Sequence, residues 1–182
     1  EKLAARMALA PATHAALAAG LEQYLAALLL PLAPQTLAFC APVRGEFDAF
    51  VSVGMLEHVG TDNYQELGAV IDRSLKRSGR GLIHTIGLNY PRPMDAWTER
   101  HIFPGACPPS LAQMMQIFEP FDFSVLDVEN LRLHYARTLE HWLQRYENNI
   151  ERVTEMFDAK FARAWRLYLA GSLTAFKAGG MQ

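Results

Sequence analysis

FDAFVSVGMLEHVG, residues 47–60, is the stretch that decides the fold. It opens with a short, nearly continuous apolar run, FDAFVSVGML, as a strand buried on both faces of a parallel sheet requires. A polar pair, Glu57-His58, follows at once. The next segment predicts a helix. Asp62 can cap it, with Gln65 three residues on. Tyr64, Leu67, Gly68, Ile71 and Leu75 then share one face at helical spacing. Lys76 and Arg77 fall in its last turn, where cations suit the helix dipole, and Gly79 and Gly81 end it. GLIHTI, residues 81–86, reads as a second buried strand. Strand, helix and strand make a βαβ unit, which implies a parallel sheet with a right-handed crossover.

In such sheets ligands sit beyond the carboxyl ends of the strands. Glu57 and His58 stand after the first strand, and His84, Thr85 and Ile86 close the second. Both strands therefore aim polar groups at one crevice. Taken alone, Glu57 could be a capping or surface carboxylate, and His84 a satisfied core histidine. His58 would point away from Glu57 if the strand continued, which favours a structural or cofactor-side role.

Working outward, residues 1–30 are rich in alanine and leucine and read as helices broken near Pro11 and Gly20. LAPQTLAFC can open another helix after Pro34. His14 reads as a surface histidine. Beyond the second strand lies NYPRPMDAWTERHIFPGACPPS, a long loop rich in turn formers and aromatics, of the kind that forms lids or binding loops. FEPFDFSVLDVEN reads as helix end, turn, then strand. From Thr138 the chain reads as helical, with Leu139, Trp142, Leu143, Tyr146, Ile150, Val153 and Phe157 at a 3–4 spacing that Phe161, Trp165, Tyr168 and Phe176 continue. That aromatic stripe is most simply helix core, with the lining of an acyl tunnel as the other reading.

Bulk properties narrow the function. The chain has 182 residues, enough for one domain with a real core, and its net charge of −2 leaves no nucleic-acid footprint. The longest apolar run, YLAALLLPLA, is interrupted by Pro31 and is too short to span a bilayer. No signal-peptide pattern opens the chain. Cys40 and Cys107 are far apart, so neither a disulfide framework nor a cysteine-based metal site is expected; both read as buried or half-buried thiols. A cytosolic compartment follows as the expectation.

FDAFVSVGMLEHVG, NYQELGAVIDRSLKRSGRGLIHTIG, HIFPGACPPS, HYARTLEHWLQRYE and FARAWRLYLAGSLTAFKAG, in that order, resemble the cyclopropane-fatty-acyl-phospholipid synthases and the mycolic acid cyclopropane synthases that share their motifs. EHVG with a downstream HTIG is the specific part. The resemblance implies an α/β fold of the class I methyltransferase (Rossmann-like) type, with a mostly parallel sheet, flanking helices and an aromatic-rich helical region over the substrate. Residues 41–182 would be the C-terminal part of that catalytic domain, after a helical N-terminal segment, 1–40. It implies methyl transfer from S-adenosylmethionine to the cis double bond of an acyl chain, with bound bicarbonate as base. Glu57, His84 and Tyr135 match the family's catalytic bicarbonate ligands, and Ile86 the position that contributes a backbone group. Leu32, Gln35, Thr36 and Leu56 match positions near the methyl donor. No metal is implied. The implied partners are an unsaturated phospholipid and the inner face of the membrane, met peripherally from the cytoplasm, and a homodimer is compatible with the family.

The chemistry suits these residue types. An alkene is a weak nucleophile and needs near-attack geometry. The cation formed must be kept from water. A carboxylate accepts the bicarbonate hydroxyl while a histidine and a tyrosine hydroxyl donate to its oxygens. Arg132, Arg137 and Arg163 could meet phospholipid head groups, although solvated helix charges are the simpler reading.

One family feature is not found. No Gly-x-Gly precedes residue 45, where the family has a glycine-rich donor turn, and only a few residues separate LAPQTLAFC from GEFDAF. Absent stretches explain this better than a lost donor site, because a parallel sheet without its central strands cannot cover its faces. Two other functions stay open. One is a small-molecule N-methyltransferase, against which HTIG together with Tyr135 argues. The other is a non-catalytic lipid-binding relative.

Overall fold

The computed structural model describes residues 43–182. The readings placed on residues 1–42, including His14, Leu32, Gln35, Thr36 and Cys40, lie outside them. Two strands, β1 (Phe47–Val53) and β2 (Leu75–His84), pair in parallel around a crossover helix, α1 (Tyr64–Ser74). The expected βαβ unit is therefore present. Five further helices follow: α2 (Ala96–His101), α3 (Leu111–Phe118), α4 (Arg132–Glu147), α5 (Ile150–Met156) and α6 (Ala159–Ala178).

Several boundaries differ from the sequence expectation, each for a local reason. Gly60 (φ 80°) turns the chain into a 3-10 turn at Thr61–Asn63, so α1 starts at Tyr64 and Asp62 does not cap it. α1 also stops at Ser74, and Lys76, Arg77, Gly79 and Gly81 belong to β2 rather than to a helix end. The ladder absorbs them as an irregularity. Phe47 faces Leu75, but Ala49 already faces Arg80, so Lys76–Gly79 bulge from the edge. A Cβ on Gly79 would come within 2.6 Å of the Leu75 side chain, which is why glycine stands at this fold-back. Lys76 reaches Asp48 at 2.7 Å across the bulge, an exposed pair that contributes little.

The strands are less enclosed than the apolar run suggests. Phe47 and Val53 are exposed among the described residues, because the described sheet has two strands. Residues 123–131 carry no strand. After Asp122 (φ 56°) the chain runs with Val125, Leu126 and Val128 exposed, and no described strand runs beside it to pair its backbone. α4 begins at Arg132, earlier than the apolar spacing signals, because the Asn130 side chain accepts from the Arg132 amide at 3.0 Å.

Two apolar clusters organise the molecule. The first gathers Leu56, Val59, Tyr64, Leu67 and Ile71 against Ile117 of α3. The second lies between α4 and α6: Ala136, Leu139, Tyr146, Leu169 and Phe176, with Tyr135 and Ile86 packed on it. α4 and α6 are antiparallel. Arg132, at the start of α4, donates to the carbonyls of Phe176 (2.9 Å) and Lys177 (3.1 Å), while the Tyr146 hydroxyl, near its end, donates to Ala162 (2.8 Å). Asp158 caps α6 through the Phe161 amide, and Gly179 (φ 79°) ends it in the left-handed region.

Arg132 therefore satisfies orphan carbonyls at a helix end and is not a free head-group ligand. Arg137 and Arg163 are exposed helix charges. Arg132→Met keeps the packed stem but deletes the donors. It is expected to cost about 1–2 kcal/mol in chemical denaturation.

Candidate active site

Glu57 does not extend the strand. Gly54 (φ 62°) breaks it, and Leu56–His58 form a 3-10 turn that carries the carboxylate under the end of the sheet. There Glu57 is 6% exposed, and Oε1 accepts from the Ile86 amide at 2.6 Å. The two strand ends thus meet, as the strand-end rule requires. Oε2 is buried too and has no hydrogen-bond partner among the described residues. An ionised carboxylate only accepts, so whatever completes this site must present a donor to Oε2.

Backbone bonds hold the turn. The Cys107 amide donates to the Glu57 carbonyl at 2.6 Å. The Tyr64 hydroxyl, wholly buried, donates to the Leu56 carbonyl at 3.4 Å. Burial, then Cys107 and Glu57 nearby, push the Tyr64 hydroxyl well above its usual value, so it remains a donor.

Tyr135 stands on α4 with its ring edge-on to Phe176 (4.8 Å) and Trp142 (6.2 Å). Burial raises its pKa, and the Glu57 charge raises it further, so its hydroxyl stays protonated within the field of the carboxylate. Tyr168, on α6, is pushed up to about 12 by burial and by Tyr135, while a hydrogen bond with Ser172 acts the other way. Glu57, Tyr64, Tyr135 and Tyr168 thus form one electrostatic neighbourhood. Tyr64 and Tyr168 read in sequence only as members of apolar stripes. A buried tyrosine needs a partner for its hydroxyl, which was the available signal.

The remaining candidates fall as follows. Ile86 spends its amide on Glu57, leaving its carbonyl, which accepts from the Thr85 hydroxyl at 3.2 Å. His84 ends β2 opposite Val53, and its side chain is exposed, not set inside an apolar core. Leu56 is fully buried in the first cluster, so a role at the donor would fall to its backbone. His58 turns its ring to Phe103 (6.3 Å), and Phe103 meets Tyr168 (5.6 Å). From Tyr168 the rings continue through Trp165 (5.1 Å) and Phe161 (5.8 Å) to Phe157 (4.2 Å), which is exposed. The aromatic stripe is therefore only partly core. Cys107 is half-buried, as expected for a free thiol.

If Tyr135 is one of several donors to an anion held at Glu57, Tyr135→Phe is expected to slow turnover by on the order of 10-fold to 100-fold. Steady-state kinetics of the purified variant check this, and full activity would remove Tyr135 from the site.

The family model for mycolic acid cyclopropane synthetase matches residues 37–182. The chain is 39% identical over 145 residues to the cyclopropane-fatty-acyl-phospholipid synthase of Escherichia coli K12, covering 77% of this chain and 37% of that protein. It is 40% identical over 144 residues to a probable fatty acid methyltransferase of Pseudomonas putida, covering 76% of this chain and 36% of that one. The chain thus spans little more than a third of these relatives. Among solved structures, a mycolic acid cyclopropane synthase in complex with SAH and CTAB matches with a TM-score of 0.71 and 25% identity, over 78% of this chain and 55% of that one.

Proposed function

The chain belongs to the mycolic acid cyclopropane synthetase family, and on that premise we propose that it carries the catalytic centre of a lipid methyltransferase. In this reading the methyl group of S-adenosylmethionine is transferred to the cis double bond of an unsaturated acyl chain, giving a cyclopropane. One observation carries the reading. A buried carboxylate is fixed through Oε1 by the Ile86 amide, and Oε2, also buried, has no donor among the described residues. The hydroxyl of a bicarbonate ion fits that acceptor, and a Tyr135 hydroxyl kept protonated by burial and by the Glu57 charge suits the ion's oxygens.

When bound, S-adenosylmethionine supplies the methyl cation equivalent and bicarbonate the small base that takes the proton. The chain's own residues hold and shield. Glu57 orients the hydroxyl side of the anion, and Ile86 locks the carboxylate rotamer. Tyr135 donates. Tyr168 and Phe103 form an aromatic wall that keeps water from a cationic centre. His84 would join as a second donor to the anion. Leu32, Gln35, Thr36 and the backbone at Leu56 would approach the methyl donor. A phospholipid substrate implies peripheral contact with the inner face of the membrane.

The complete gene product, mixed with S-adenosylmethionine and unsaturated phospholipid vesicles, is expected to add one methylene to the acyl chains by mass spectrometry. Unchanged lipids, together with no binding of the methyl donor, would overturn the reading in favour of a non-catalytic relative.

A further inference from the structure

The segment Ala106–Ser110 touches both supports of the candidate carboxylate. Its Cys107 amide donates to the Glu57 carbonyl at 2.6 Å. Two residues on, the Pro109 carbonyl accepts from the Leu88 amide at 2.8 Å, and Ser110 bridges Leu88 in parallel. Leu88 lies two residues beyond Ile86, the donor to Glu57 Oε1. One short stretch therefore ties the backbone of Glu57 to the backbone that grips its side chain.

The stretch is built to be stiff. Ala106, Pro108, Pro109 and Ser110 are all buried. The two prolines fix their own φ angles and restrict the residues before them. Ser110 is anchored further by a capping box with Gln113 at the start of α3. Upstream, Gly105 (φ 75°) makes the turn into the stretch, and Phe103 packs between His58 and Tyr168.

We infer that Ala106–Ser110 is a positioning brace for the reaction, acting through the main-chain N–H of Cys107 and not through its thiol. By fixing the Glu57 backbone relative to Ile86, it holds the short Oε1 bond and so aims Oε2. This rests on the proposed role of Glu57. A displacement of about 1 Å at such a group is enough to cost on the order of 10²-fold in rate.

The test deletes one hydrogen-bond donor. In the full-length protein, position 107 is replaced once by Ala, which keeps the amide, and once by the matching α-hydroxy acid, which turns the amide into an ester. The ¹⁵N-labelled Ile86 amide is then followed by NMR, and kcat and KM are measured on unsaturated phospholipid vesicles. The short bond to Glu57 is expected to place the wild-type Ile86 resonance downfield, and Cys107→Ala to keep both that resonance and the wild-type kcat. The ester variant is expected to bring that resonance back toward the ordinary amide range. Its kcat should fall by tenfold or more on the scale that misplacement permits, with KM within about twofold. An unchanged Ile86 resonance in the ester variant overturns the brace, whether or not the protein methylates lipid. An inactive wild type with the resonance changed as expected would instead overturn the lipid methyltransferase reading, and with it the brace's part in a reaction, while the main-chain hold on the Glu57 carboxylate would stand. If Cys107→Ala alone abolished the resonance, the side chain would be the support, and the inference would fail.

Discussion

Glu57→Gln is expected to reduce turnover by on the order of 10³-fold or more while leaving the fold in place. The substitution changes little in shape. The amide oxygen of glutamine can still accept from Ile86 at the position that Oε1 occupies now. The second position changes from an acceptor to an NH₂ group, which cannot take a hydroxyl hydrogen bond. A buried negative charge is also removed, so the thermal midpoint should hold or rise slightly. Steady-state kinetics with a melting curve on the same sample decide the matter. Near-normal turnover with an unchanged midpoint would remove Glu57 from the chemistry.

Gly68→Ala is expected to be strongly destabilising for so small a change. Helix propensity alone favours alanine by about 1 kcal/mol at such a site. Packing opposes it. A Cβ on Gly68 would lie 2.5 Å from the Ile117 carbonyl oxygen and 2.5 Å from Phe121 Cε2. The ring could rotate, but the carbonyl belongs to α3 and cannot move without that helix. The overpacking cost exceeds the propensity gain, for a net loss of about 2–3 kcal/mol and a midpoint lowered by roughly 5–10 °C. A midpoint within a degree of wild type would mean that α1 and α3 do not approach this closely.

Much of this framework is visible in the sequence. Most of the apolar run at 47–56, to Val53, and GLIHTI as far as His84 become a parallel pair, because β-rich apolar runs separated by an amphipathic helix have few other ways to bury themselves. Leu67 and Ile71 announce the inner face of α1 by spacing alone, and both are buried. What spacing cannot see is conformation that depends on contacts distant in sequence. Lys76-Arg77 carry the charges of a helix end but lie in a strand bulge, since Asp48 and the tight approach to Leu75 decide their course. Residues 124–130 have strand-like composition and no strand, because a strand needs a paired neighbour and no described strand runs beside them. At the site, Glu57 stood out as a polar residue after an apolar run. The Cys107 amide that holds it is main chain, which composition does not encode. Tyr168 was hidden among the other aromatic rings of its helix.

The placement of Glu57 between two apolar clusters has a consequence for how the protein should fail. Its backbone follows Leu56 of the first cluster, whereas Ile86 and Tyr135 pack on the second. The carboxylate is therefore assembled across a joint, and its geometry reports how the two halves are seated. Either half can keep its helices while the joint loosens. In rising urea, the proposed lipid methylation should vanish at a concentration where the far-ultraviolet dichroism is still native. Solutes that compact proteins should restore it without adding any helix. Function in this protein would then have a lower melting point than structure.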